Sequence, residues 1–230
     1  MGNPSSISLQ LDAAVANGVC LAQAVGAAGN LTLNGSLVTG GVAIFDAPRR
    51  VLVASSGNNA AVVFTIVGLS RDGIVQAENI TGLTAGTDAY TDLDYATVSV
   101  VYASAACLGN ITVGTNGIGS SAWIMDNFMA SAWALSVAVI IDSGTATYTV
   151  EYTYDDPNKT GTSQEAEPQQ YSLLPTSYVP PTAWPHPTLR GLTASADGNF
   201  ANQPVMAHRV TVTAGTGQVT MQSMQAGIIS

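Results

Sequence analysis

The sequence predicts an all-β protein: two β-sandwich domains of jelly-roll or immunoglobulin-like form, with an extended N-terminal segment and a long proline-rich arm. Three observations predict it. Short runs of β-branched and aromatic residues recur along the 230 residues, punctuated by Gly, Asn and Asp, with almost no apolar repeat at helical spacing. Many short strands of this kind pack as a sandwich or a barrel. The stretch 145–154 sets Ala146, Tyr148, Val150, Tyr152 and Tyr154 on one face and Thr145, Thr147, Thr149, Glu151 and Thr153 on the other, so one face must be buried. Hydrophobic residues make up 47% of the chain, enough for a core, while charged residues make up 9%, against roughly a quarter in ordinary soluble proteins.

Residues 1–30 begin polar and turn Ala/Val/Gly-rich without a clear period, which predicts an N-terminal arm or edge strand. The first sandwich spans 31–114. Leu31-Thr-Leu33, Leu37-Val38 and the run from Val42 to Phe45 are short strands broken by Asn34-Gly35 and Gly40-Gly41. The meander that follows organises the rest: strands at 49–55, 60–69 and 74–80, separated by Gly57-Asn58-Asn59 and Ser70-Arg71-Asp72-Gly73. Asn and Gly tolerate the positive φ of tight turns, and Asp-Gly is among the strongest hairpin pairs. The middle run is apolar on both faces, Val62, Phe64 and Ile66 against Val63 and Val67. That predicts a strand at the centre of a sandwich or covered by another subunit. Strands at 95–103 and 110–113 close the domain, and 115–132 predicts a linker.

The second sandwich spans 133–230. Leu135, Val137 and Val139 alternate with Ala134, Ser136 and Ala138, and Asp142-Ser143-Gly144 turns the chain into 145–154 as a hairpin. A second hairpin, 205–212 and 218–226 about Ala214-Gly-Thr-Gly217, supplies the packing partner that an isolated hairpin needs. Between them lies an insertion, 155–203, holding Pro157 and six prolines from Pro168 to Pro187. Proline keeps such a segment extended and out of sheet interiors. A connection this long predicts an arm across a neighbouring subunit, with an excursion over its own domain as the alternative.

The net charge is −9, and the six cations (Arg49, Arg50, Arg71, Lys159, Arg190, Arg209) are scattered. Nucleic-acid binding needs grouped Lys and Arg, so it is disfavoured. No apolar run reaches the ~18 residues of a membrane helix, and the opening Met-Gly-Asn-Pro-Ser-Ser lacks the pattern of a secretory signal. Cys20 and Cys107 therefore predict buried free thiols rather than a bridge. A surface so poor in ions is either polar without charge or covered by neighbours in an assembly, and the latter is expected.

Motifs with chemical meaning are few. Gly117-Ile-Gly119-Ser-Ser-Ala122 matches a dinucleotide fingerprint, yet no repeated βαβ pattern surrounds it. Asp156, Asn158, Thr160 and Glu167 approximate an EF-hand calcium loop. Thr160 is a poor ligand and flanking helices are absent, so a solvated acidic turn is the stronger expectation. Asp92 and Asp94 are spaced to share a metal, but an exposed loop explains them as well. His186 lies between two prolines, His208 opens a strand beside Arg209, and no nucleophile elbow exists. No catalytic residue and no cofactor is predicted.

Ala47-Pro-Arg-Arg-Val-Leu-Val53, Ser56-Gly-Asn58, Val63-Phe-Thr-Ile-Val-Gly68, Glu78-Asn-Ile-Thr-Gly82, Ala85-Gly-Thr87 and Ile111-Thr-Val-Gly-Thr115 follow a pattern that resembles structural proteins of tailed-bacteriophage virions. Gly119-Ser-Ser-Ala-Trp123, Tyr148-Thr-Val-Glu-Tyr-Thr-Tyr-Asp-Asp-Pro157 and the closing hairpin look like the same class. The resemblance departs at the N-terminal arm and the proline-rich segment. It implies β-sandwich modules that interlock as homo-oligomers, coat the capsid or build the neck and tail, and carry no catalytic residues.

The expected function is therefore that of a non-enzymatic virion protein, a capsid decoration or neck/tail component assembled in the host cytoplasm. Its partners would be copies of itself and other virion proteins, such as the major capsid protein or neck/tail proteins, and neither nucleic acid nor membrane. Tyr171, Leu173, Leu174, Tyr178, Val179 and Trp184 are the expected interface residues, since aromatic anchors beside proline give contact area at little ordering cost. The alternative is a receptor- or carbohydrate-binding tail-tip module.

Overall fold

A computed structural model describes residues 3–71, 73–82, 84–127, 131–157, 181–201 and 204–228. Among them it contains strands and no helix: β1 (Asn3–Leu9), β2 (Cys20–Ala24), β3 (Gly29–Asn30), β4 (Val38–Thr39), β5 (Val42–Ser55), β6 (Val63–Leu69), β7 (Val75–Thr81), β8 (Asp88–Tyr90), β9 (Tyr95–Ala103), β10 (Asn110–Ser120), β11 (Ile124–Met125), β12 (Ser131–Ser143), β13 (Ala146–Thr153), β14 (Trp184–Pro185), β15 (Ala196–Ala201), β16 (Ala207–Gly215) and β17 (Gln218–Ile228). The chain is all-β, and its strand pairings are antiparallel. The described residues divide into two units: Ala14–Asn116, and a second made of residues 3–13, 117–157 and 181–228.

In the first unit the sheet runs β10-β5-β9-β6-β7, with β2 on β10, β3 on β9, and β4 and β8 on β5. Val19, Cys20, Val51, Phe64, Ile66, Tyr95, Val98, Val101, Ile111 and Val113 form its core. The unit thus begins well before residue 31, because the 14–30 stretch supplies Val19 and Cys20 to that core. β6 and β7 form the expected hairpin from Val63↔Thr81 to Leu69↔Val75. β6 buries Phe64 and Ile66, whereas Val63, Thr65 and Val67 are only half-buried, so its second face is partly covered rather than enclosed. β5 joins two stretches that read as separate strands. Its register on β9 shifts between Ile44 and Arg49. Pro48 has no N–H to give the ladder there, and the buried Arg49 turns inward to an ion pair with Asp46 at 2.6 Å.

In the second unit one sheet has the order β1-β17-β12-β15. The other pairings of this unit are β14 on β13, β13 on β16, β11 on β16, and Gly119 and Ser120 of β10 on Val212 and Thr211 of β16. The stretch 115–132, expected as a linker, instead carries the end of β10 and all of β11.

The two hairpins expected in this unit do not form. β12 pairs with β17 from Ser131↔Ile228 to Ser143↔Gln218, and β13 pairs with β16 from Ala146↔Gly215 to Thr153↔Ala207. Each turn, 144–145 and 216–217, therefore carries the chain from one sheet to the other. The physical reason is burial. Hairpin arms share a sheet, while here Leu135, Val137, Val139, Val219 and Met221 line one sheet and Tyr148, Val150, Val210 and Val212 the other, all of them buried. Gly144 and Gly215 turn these corners with φ of 68° and 88°, and the Gly217 N–H donates to the Thr145 carbonyl at 2.9 Å.

The described end of the proline-rich insertion is bonded to its own unit. The His186 N–H donates to Val150 O at 2.8 Å, Val150 N–H to Leu189 O at 2.7 Å, and Tyr148 and Leu192 exchange N–H···O bonds. β13 would otherwise show an unpaired edge, and this segment satisfies it.

Candidate functional site

The residues singled out from the sequence fall in several places. Asn158, Thr160, Glu167, Tyr171, Leu173, Leu174, Tyr178 and Val179 lie outside the described residues. Asp156 is exposed, and no group of three metal-ligating side chains exists among the described residues. Trp184 is half-exposed in β14, opposite Tyr152 of β13. Asp92 and Asp94 flank the Arg50 guanidinium at 3.9 Å each, and Arg50 lies 5.9 Å over the Tyr90 ring. A cation is thus already supplied by the chain where the sequence allowed a shared metal. Glu78 beside them accepts the N–H groups of Asp92 and Leu93 at 2.8 and 3.0 Å. Burial pushes its carboxyl up, against the opposing pull of those donors.

Both cysteines are free thiols, Cys20 buried and Cys107 half-buried. Burial pushes the Cys20 thiol up to about 12 and raises Cys107 as well. A thiol kept protonated is a poor nucleophile, so neither is activated.

Two polar clusters occupy the second unit. His208 Nδ1 sits 2.8 Å from Asp126 Oδ2, with side-chain exposures of 0% and 3%. The β11–β16 pairing, Ile124↔His208 and Met125↔Ala207, brings the two together. A carboxylate orienting an imidazole is the form of a general base, but full burial keeps substrate away from Nε2. The pair anchors β11. Beside it Arg209 donates through Nε to Glu151 Oε2 at 2.8 Å and through Nη1 to Ser120 Oγ at 3.0 Å. Thr211 donates to the same Glu151 oxygen, and the guanidinium stacks 4.5 Å over Trp123. His186, also buried, accepts the N–H groups of Thr188 and Leu189 on Nδ1 and packs edge-on against Phe200 at 4.5 Å. Burial pushes its pKa down.

An open feature of this unit is the outward face of the β1-β17-β12-β15 sheet. Register places Ser6, Gln222, Ala138 and Asp197 in one row across the four strands, and Pro4, Met224, Ser136 and Asn199 in the next. The small side chains on β12 make a low floor between taller neighbours, leaving a groove of about 600 Å³. Among the described residues Asp197 is the one charged group lining it. Sequence reasoning assigned this alternation to a hairpin and so missed the groove. The visible signal was the run of Ser136 and Ala138 opposite three buried aliphatics.

No family model, curated protein or solved structure matches the chain.

Proposed function

We propose that the chain is a non-enzymatic structural protein of a tailed-bacteriophage virion, a capsid decoration or neck/tail component that works as a homo-oligomer. Its two units act as β-sandwich modules of jelly-roll or immunoglobulin-like form, and its low-charge sheet surfaces are buried between copies and against other virion proteins. The observation that carries this role is the outward face of the four-stranded sheet. Its two central rows hold Ser, Ala, Asn, Gln, Met and Pro side chains with a single carboxylate. Charge is depleted at the centre of protein interfaces and enriched on free surfaces, so such a face suits contact better than solvent. The motif resemblance to virion proteins points the same way.

Mass spectrometry of purified particles from the encoding phage tests the role. Recovery of the chain at many copies per particle is expected, and its absence from intact particles overturns the proposal. One observation favours a second role: Asp197, Asn199, Gln222 and Ser136 ring the groove with hydrogen-bonding groups suited to sugar hydroxyls. A glycan array separates the two, since a decoration protein retains no specific sugar.

A further inference from the structure

We infer that β1 is the seam at which a second copy of this chain adds, strand to strand, across a two-fold axis. The inference rests on the homo-oligomer proposed above and names the surface that would make it. Four strands end the main paths of the two sheets, β1, β15, β14 and β7, and the short β2, β3, β4, β8 and β11 are attached beside those paths. Three of the four end strands carry the features by which natural proteins guard open edges. β15 holds Asp197 and Gly198, β14 is two residues long and contains Pro185, and β7 holds Glu78. β1 is different. From Asn3 to Leu11 there is no charge, the first being Asp12. The strand is seven residues long, and its backbone bonds among the described residues run to β17 alone.

The sequence of β1 is complementary to itself. Pro4 has no N–H and sits opposite Met224, so it fits a position whose backbone points away from β17. By the period of two, the N–H and C=O groups of Ser6 and Ser8 then also point outward. An antiparallel copy centred on Ile7 sets Ser6 opposite Ser8 of the partner and Ser8 opposite Ser6 of the partner, both as hydrogen-bonded pairs. Pro4 meets the partner's Gln10 and needs only to accept. Hydroxyl pairs of this kind already join β1 to β17, Ser5 to Ser223 at 2.8 Å and Ser8 to Thr220 at 2.7 Å. The product is an isologous, closed contact that consumes both open edges and stops at two copies. The charge-poor face described above then continues across both sheets.

Sedimentation of the full chain from micromolar to near-millimolar concentration tests this, with two variants changed only at exposed positions. The wild type is expected at twice the 23.4 kDa chain mass or an even multiple of it. S6K/S8K and S6E/S8E each place like charges opposite one another and are expected to associate about tenfold more weakly or worse. An equimolar mixture of the two pairs Lys with Glu across the seam and is expected to restore association, which a misfolded variant does not. A wild type that stays monomeric, or forms an odd-numbered ring, overturns the seam. A wild-type oligomer indifferent to both variants also overturns it while leaving the assembly role standing. Failure of that role is read separately, from the absence of the chain in particles.

Discussion

The Asp126–His208 hydrogen bond, 2.8 Å long, lies buried in the second unit. Removing one member leaves a buried polar group unsatisfied, at about 1–3 kcal/mol and more for a charged group. Asp126→Ala is therefore expected to lower stability by about 3 kcal/mol in urea unfolding, while Asp92→Ala, whose carboxylate is exposed, changes it by less than about 1 kcal/mol. His186 gives a pH dependence of definite sign. Its pKa is lowered by burial from an ordinary 6.5, so the unfolded chain binds the proton more readily. The stability it contributes is full above pH 6.5 and declines as pH falls through its folded value. Chemical denaturation between pH 7 and 5 is expected to show this decline, and His186→Asn, which keeps an acceptor for Thr188 and Leu189, is expected to flatten it. None of these partnerships was visible in the sequence. His208 and Asp126 are 82 residues apart, and one of them lay in what read as a linker.

At the level of strands, most of what the sequence offered was the period-two pattern, which matches burial in the middle of each run and fails at the end of β13, where Tyr154 is exposed and Thr153 is buried. Tyr148 and Val150 are in the core as expected, and so are Leu135, Val137 and Val139. Pairing was not legible. An alternating strand followed by a Gly turn and another alternating strand is compatible with a hairpin and with a corner between sheets. The choice depends on which distant strand completes each ladder. The corner glycines carry the difference. Gly215 has φ of 88°, and a Cβ there would overlap the Thr145 carbonyl oxygen. Gly215→Ala is expected to cost about 2 kcal/mol, read as a lower melting temperature. The groove escaped notice for a related reason. Its floor is Ser136 and Ala138, ordinary small residues until β17 and β15 raise taller side chains on either side.

For the molecule as a whole, the proposed assembly must be reconciled with composition: a chain of net charge −9 with few charged residues. Copies of one sign repel at long range, and contacts made by uncharged faces lose nothing to added salt. Self-association is therefore expected to strengthen between low salt and about 0.5 M, where the screening length falls to a few ångströms. An interface built on ion pairs behaves oppositely, so sedimentation at two ionic strengths tells them apart.

The ladder between β1 and β17, Asn3↔Gln225 through Leu9↔Val219, has a bearing on how the polypeptide is made. The ribosome delivers the earliest of these strands first and its mate more than 200 residues later. The described strands of the Ala14–Asn116 unit are all made before β17, so they can pair while β1 still waits. The clasp of β1 on β17 therefore shuts only after those strands have been made.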